Sequence, residues 1–231
     1  MSDLLYDQSK VTKYREAAIE LHKLSLSVEQ RLASAFENGK QQDARDALAE
    51  LRASSAEFQK LRSTLTPTDL FIAKYNIQVH GAHEVSFVLP QGVSRYEMLC
   101  EAQGVVTGRD LISPNHLEQW GKDERFKAST TVPERIQIDG HVDGGDGKTR
   151  NQQEAFLEAK ELPLATLEDL AAAFVAHYVA TGTDLFEGKW VRAAGGALYF
   201  DSYGLSVYDV DDGVSHRDVA VSARVPRNLK N

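Results

Sequence analysis

The chain is poor in sulfur and in proline, with one cysteine, two methionines and six prolines in 231 residues. A lone Cys100 forbids an internal disulfide and leaves no pair of Cys-x-x-Cys motifs for zinc, so the fold must hold by packing. Long apolar runs are also missing. The longest, Leu170 to Ala180, is interrupted by His177 and falls short of the roughly 20 residues that a membrane helix needs. No stretch near the start joins a basic run, an apolar core and a small-residue cleavage site. These absences predict a protein of the reducing cytoplasm with no membrane partner. A basic excess is absent too. The formal charge is −8, and because the first 65 residues balance ten basic against ten acidic side chains, the whole acidic excess lies beyond them. A surface built to neutralise phosphates has the opposite balance, so no nucleic-acid partner is expected.

What the chain does contain is a core's worth of apolar residues, 42% of the total, enough for one large domain or two small ones. The clearest pattern is helical. Val11, Tyr14, Ala18, Leu21, Leu24, Val28, Leu32 and Ala35 recur at steps of three and four, and after Asn38-Gly39 the stripe resumes at Ala44, Leu48, Leu51, Ser55, Phe58, Leu61 and Leu65. Asn-Gly suits a helix stop and a left-handed turn, so the segment reads as an antiparallel helical hairpin. Arms of about 25 residues would be roughly 40 Å long, predicting a hairpin that projects or packs on another chain. Lys13, Arg15, Glu16, Glu20, Lys23, Arg45, Asp46 and Glu50 lie beside the stripes as a solvated face. Thr66-Pro67-Thr68-Asp69 ends the second helix, which divides the chain into residues 1–66 and a second domain, 67–231.

Beyond that boundary the period changes. Tyr75 to His80 and Glu84 to Leu89 read as strands about the turn Gly81-Ala82-His83. Ser94 with Glu97 and Thr149 with Gln152 have the spacing of capping boxes, and Ser113-Pro114 marks another helix start. Glu134 to Asp139 reads as a strand, and Leu167 to Ala180 as the most apolar helix, closed by Thr181-Gly182. Trp190 to Ala193, Ala197 to Asp201, Leu205 to Val210 and Val219 to Val225 alternate as strands separated by short glycine turns, the last of them half-buried. The fold class expected is α+β: a helical hairpin, then a mixed domain ending in an antiparallel β-meander.

One loop gathers polar ligand types. Asp139, His141, Asp143 and Asp146 fall within Asp139-Gly-His-Val-Asp-Gly-Gly-Asp, and carboxylates with an imidazole are the donors of divalent-ion sites. His80 and His83, at the preceding hairpin turn, would add imidazoles if both turns share an end of the sheet. The loop ends Gly147-Lys148-Thr149, as a phosphate-binding loop does, but Val142 stands where that motif needs glycine and the aspartates would repel a polyphosphate. Asp209-Val-Asp-Asp-Gly213 reads as a hairpin tip, Cys100 as a core residue on its helix, and His177 as a core histidine. No Gly-x-Ser-x-Gly elbow, His-Glu-x-x-His or dinucleotide fingerprint is present, so no catalytic residue and no organic cofactor can be assigned. The reading that follows is a structural or protein-interaction subunit that associates, with itself or another protein, through the hairpin. The alternative is a metal-dependent hydrolase with its divalent ion in the Asp139–Asp146 loop.

Overall fold

The computed structural model describes residues 5–208 and 219–225. The chain divides into two compact units, Tyr6–Ala73, and Met1–Leu5 with Lys74–Asn231. In the first unit α1 (Gln8–Glu37) and α2 (Gln41–Arg62) form the antiparallel hairpin. Arg31 is paired with Glu50 at 2.6 Å near the turn, and Tyr14 stacks on Phe58 near the open end, with centroids 4.9 Å apart. Val11, Val28, Ala35 and Ala47 are buried, and Leu21, Leu24, Leu51 and Phe58 half-buried, so the stripes face one another. Gly39, at φ +66°, ends α1, and the Lys40 N–H returns to the Ala35 carbonyl, the bonding that stops a helix with a left-handed residue. Asp7 caps α1 by accepting from the Lys10 N–H.

Helix α3 (Pro67–Tyr75) runs across the division between the units. Thr66 and Asp69 cap each other at its start: the Thr66 hydroxyl oxygen accepts from the Asp69 N–H, while Asp69 accepts from the Thr66 N–H and hydroxyl. Tyr75 therefore ends a helix, where the alternation had predicted the start of a strand. Asn76, at φ +48°, turns the chain, and only Gln78–Val79 (β1) is paired.

The second unit holds two sheets about one buried helix. The first sheet runs β1, β2 (Glu84–Leu89), β3 (Glu134–Asp139) and β8 (Ala223–Arg224), all antiparallel. In the second, β4 (Trp190–Ala193), β5 (Gly196–Asp201) and β6 (Gly204–Tyr208) form the antiparallel meander. The strand β7 (Val219–Val221) joins β4 in parallel. The last segment is thus not one half-buried strand: Ser222 divides it between the sheets, giving its N–H and hydroxyl to the Arg192 carbonyl, and Val219 to Ala223 are all buried. The expected hairpin tip at Asp209–Gly213 lies outside the described residues.

Helix α8 (Leu167–Thr181) packs against α4 (Arg95–Val105), β2, β3 and β5, and all its residues except Glu168 and Tyr178 are buried. That explains its continuous apolar sequence: a helix covered on every side has no polar face to display. Thr166 caps it, and Gly182 at φ +70° closes it. Its buried Asp169 meets Arg95 at 2.8 Å, and Glu134 bridges Arg95 (2.9 Å) to Arg224 (2.8 Å), tying α4, α8, β3 and β8 into one ionic group. Helices α5 (Pro114–Trp120) and α6 (Glu124–Lys127) stack Trp120 on Phe126, while α7 (Arg150–Ala159) starts at the Thr149–Gln152 capping box. Cys100 departs from expectation and is exposed. On α4 the buried face is Met98, Leu99 and Ala102, and Cys100 lies one turn from Tyr96 on the other side. Among the described residues no helix is long and apolar enough to cross a membrane.

Candidate metal centre

Two adjacent strands bring the histidines together. Glu84 opens β2 opposite Asp139, the last residue of β3, so His83 and His141 leave the same end of the first sheet. The Gly140 N–H donates to the His83 carbonyl at 2.7 Å and fixes the two loops in register. The missing side chain at Gly140 matters here. A Cβ there would lie 2.8 Å from the Leu185 Cγ, so only glycine lets the loop between α8 and β4 close over this end of the sheet. That loop is held by Asp184, which accepts from the Phe186 and Gly188 N–H groups at 2.7 Å each, and it carries Glu187 in the left-handed region at φ +51°.

One ligating atom each from His83, His141 and Glu187 lies within 4.8 Å of the other two. The rings meet edge to face with centroids 4.9 Å apart, and His83 Nε2 is 3.5 Å from a Glu187 oxygen. Their other nitrogens are engaged by groups that can only accept. His83 Nδ1 faces the Leu185 carbonyl at 3.2 Å, and His141 Nε2 faces the Asp146 carboxylate at 2.8 Å. In the neutral imidazoles each of those nitrogens carries the proton, which leaves lone pairs on His83 Nε2 and His141 Nδ1. His141 Nδ1, on a side chain only 10% exposed, is buried and has no hydrogen-bond partner among the described residues. Ligating histidines are commonly oriented through the far nitrogen by a carboxylate or a carbonyl, and here one has each.

The loop aspartates surround this trio without belonging to it. Asp146 is oriented by Lys189 at 2.8 Å as well as by His141. Burial opposes its charge, but the hydrogen bonds from Lys189 and His141 hold its carboxyl below the usual range. Asp139 accepts from the His141 N–H at 2.9 Å, and burial, reinforced by the charge of Glu84, pushes its carboxyl above the usual range. Asp143 is exposed, and His80 bonds the Ser86 hydroxyl at 2.9 Å, away from the cluster. The phosphate-loop likeness resolves into a helix start: Lys148 donates to the Gly144 carbonyl and Thr149 caps α7. His177 is buried in α8 with Nδ1 on the Thr183 carbonyl at 3.2 Å, and burial lowers its pKa.

Of the residues suggested by the sequence, the structure brings His141 and His83 together, with Asp139 and Asp146 at their backs. Glu187 was not foreseen, because it stands on a loop remote in sequence whose only local sign is the following Gly188. Comparison of the chain with protein-family models, with curated proteins and with solved structures finds no match.

Proposed function

We propose that this is a metalloprotein that binds one divalent transition ion of the zinc class through His83 Nε2, His141 Nδ1 and the Glu187 carboxylate. The observation that carries the reading is a pair of histidines, each held through one ring nitrogen by an acceptor, that bring a ligating atom apiece within 4.8 Å of each other and of the Glu187 carboxylate. Two imidazoles and one carboxylate suit zinc, iron, cobalt or nickel, whereas magnesium and calcium favour oxygen donors. Ligands about 2.0–2.2 Å from zinc stand roughly 3.3 Å from each other, so the trio closes on an ion by side-chain movement of about 1 Å. The test is zinc titration of chelator-stripped protein, followed by native mass spectrometry and thermal unfolding. One ion should bind, and at a hundredfold excess over Kd it should add about 2.7 kcal/mol of stability. His141→Ala and Glu187→Gln should abolish the gain while leaving the far-ultraviolet spectrum unchanged. A folded native chain that takes up no zinc refutes the reading.

A second reading concerns the hairpin, as a surface for association with another copy or another protein. It is favoured by Phe36, 79% exposed at the end of α1, by the exposed Ile19 and Leu26, and by a groove of about 430 Å³ between the helices. Leu21, Leu24, Phe58 and Leu61 line that groove and Glu20 and Glu57 edge it. Light scattering on Leu21→Asp with Leu48→Asp tests it, with a fall in mass expected. An unchanged mass and helicity sets the reading aside. A reducing compartment, suggested by the single and exposed Cys100, belongs with both readings.

A further inference from the structure

We infer that the ion at His83, His141 and Glu187 keeps one coordination position open to solvent and activates a water there for hydrolysis of a carboxylic ester or amide, an inference that rests on the metal site proposed above. Among the described residues, only His83, His141 and Glu187 bring three ligating atoms within 4.8 Å of one another, and the two aspartates at their backs are engaged, Asp146 by His141 and Lys189 and Asp139 by the His141 N–H. Structural zinc sites are closed by four protein ligands, whereas catalytic ones have three and a water. The open side is the wet side. Glu187 is 55% exposed, against 10% for His141, so the fourth position lies towards solvent on the Glu187 side.

The substrate class follows from the number of ions and from the charge around them. A single ion can polarise one carbonyl oxygen and lower the pKa of one water, whereas in-line phosphoryl displacement commonly uses a pair of ions as a clamp. Asp139 and Asp146 stand behind His141, and the charge of Glu84 reaches Asp139; carboxylates so placed disfavour a phosphate and leave a neutral carbonyl unaffected. In the step, the water oxygen forms a bond to the carbonyl carbon and the bond from that carbon to the alcohol oxygen breaks. One water proton ends on the alcohol, and the acid keeps the water oxygen. No oxidant or reductant takes part.

The experiment uses the full chain in two forms. The cobalt-loaded protein is titrated with azide while its visible spectrum is recorded, and the zinc-loaded protein is assayed with p-nitrophenyl acetate beside stripped protein and free zinc. We expect azide to shift the cobalt bands and zinc to raise the hydrolysis rate at least about tenfold over both controls. Stoichiometric metal with a spectrum indifferent to azide means a closed structural site, which overturns this inference and leaves the metal site standing. An azide-responsive centre without ester turnover overturns the hydrolytic step. Failure to bind either ion overturns both proposals together.

Discussion

Replacing Asp169 with asparagine removes a charge from the middle of the second unit without changing its volume. The carboxylate is 1% exposed, takes 2.8 Å bonds from Arg95, and lies 3.4 Å from Arg224. With Glu134 it balances two guanidinium groups; without it, one carboxylate faces two cations. Breaking a buried pair costs about 3–5 kcal/mol, and the lower end applies because Glu134 still serves Arg95 and because the half-exposed Arg224 is screened by water. A loss of about 3 kcal/mol lowers the midpoint of a unit this size by roughly 6–12 °C. The assay is urea unfolding at neutral pH on Asp169→Asn, Arg95→Met and the pair Arg95→Met with Asp169→Asn, arranged as a double-mutant cycle. The pair should cost less than the two single losses added together, by about 2 kcal/mol, because no charge is left without its counterpart. A single-mutant cost under about 1 kcal/mol, or an additive cycle, would show that the group contributes nothing as an ionic network.

Three further expectations concern the loops and the central helix. A Cβ at Gly145 would lie 2.4 Å from Val221 Cγ1, so Gly145→Ala should cost about 1–3 kcal/mol, read as a lowered unfolding midpoint. Gly140→Ala pushes on Leu185 and with it the Glu187 loop; zinc affinity should fall about tenfold or more, measured by calorimetry, while the fold persists. His177 has its pKa lowered in the folded protein by burial, so its contribution is whole above the ordinary value of 6.5 and is lost as the pH falls below it towards the lowered folded value. In chelator, His177→Gln should therefore lose less stability than the native chain as the pH is lowered below 6.5. Equal slopes would refute this account of His177.

Residues 8–62 were legible because a helix repeats every 3.6 residues, and the stripe from Val11 to Ala35 needs no knowledge of any partner to be recognised. Caps were legible for the same reason: Ser94 with Glu97 and Thr149 with Gln152 act over three residues. Tyr75 and Cys100 were misread where local pattern says little. Tyr75 closes a short helix and gives its hydroxyl to Glu101, and Cys100 sits on a helix whose buried face is chosen by what packs on it.

The sequence by itself determined the α+β class, the hairpin and its turn, the buried helix Leu167–Thr181 and the loop holding Asp139, His141 and Asp146, since each depends on residues near one another in the chain. Only the tertiary structure decided which of those residues face a common point. The pairing of Glu84 with Asp139 sets His83 beside His141, and the close approach of Leu185 to Gly140 delivers Glu187. Strand register and loop approach are fixed by the packing of the whole unit, which no local period encodes.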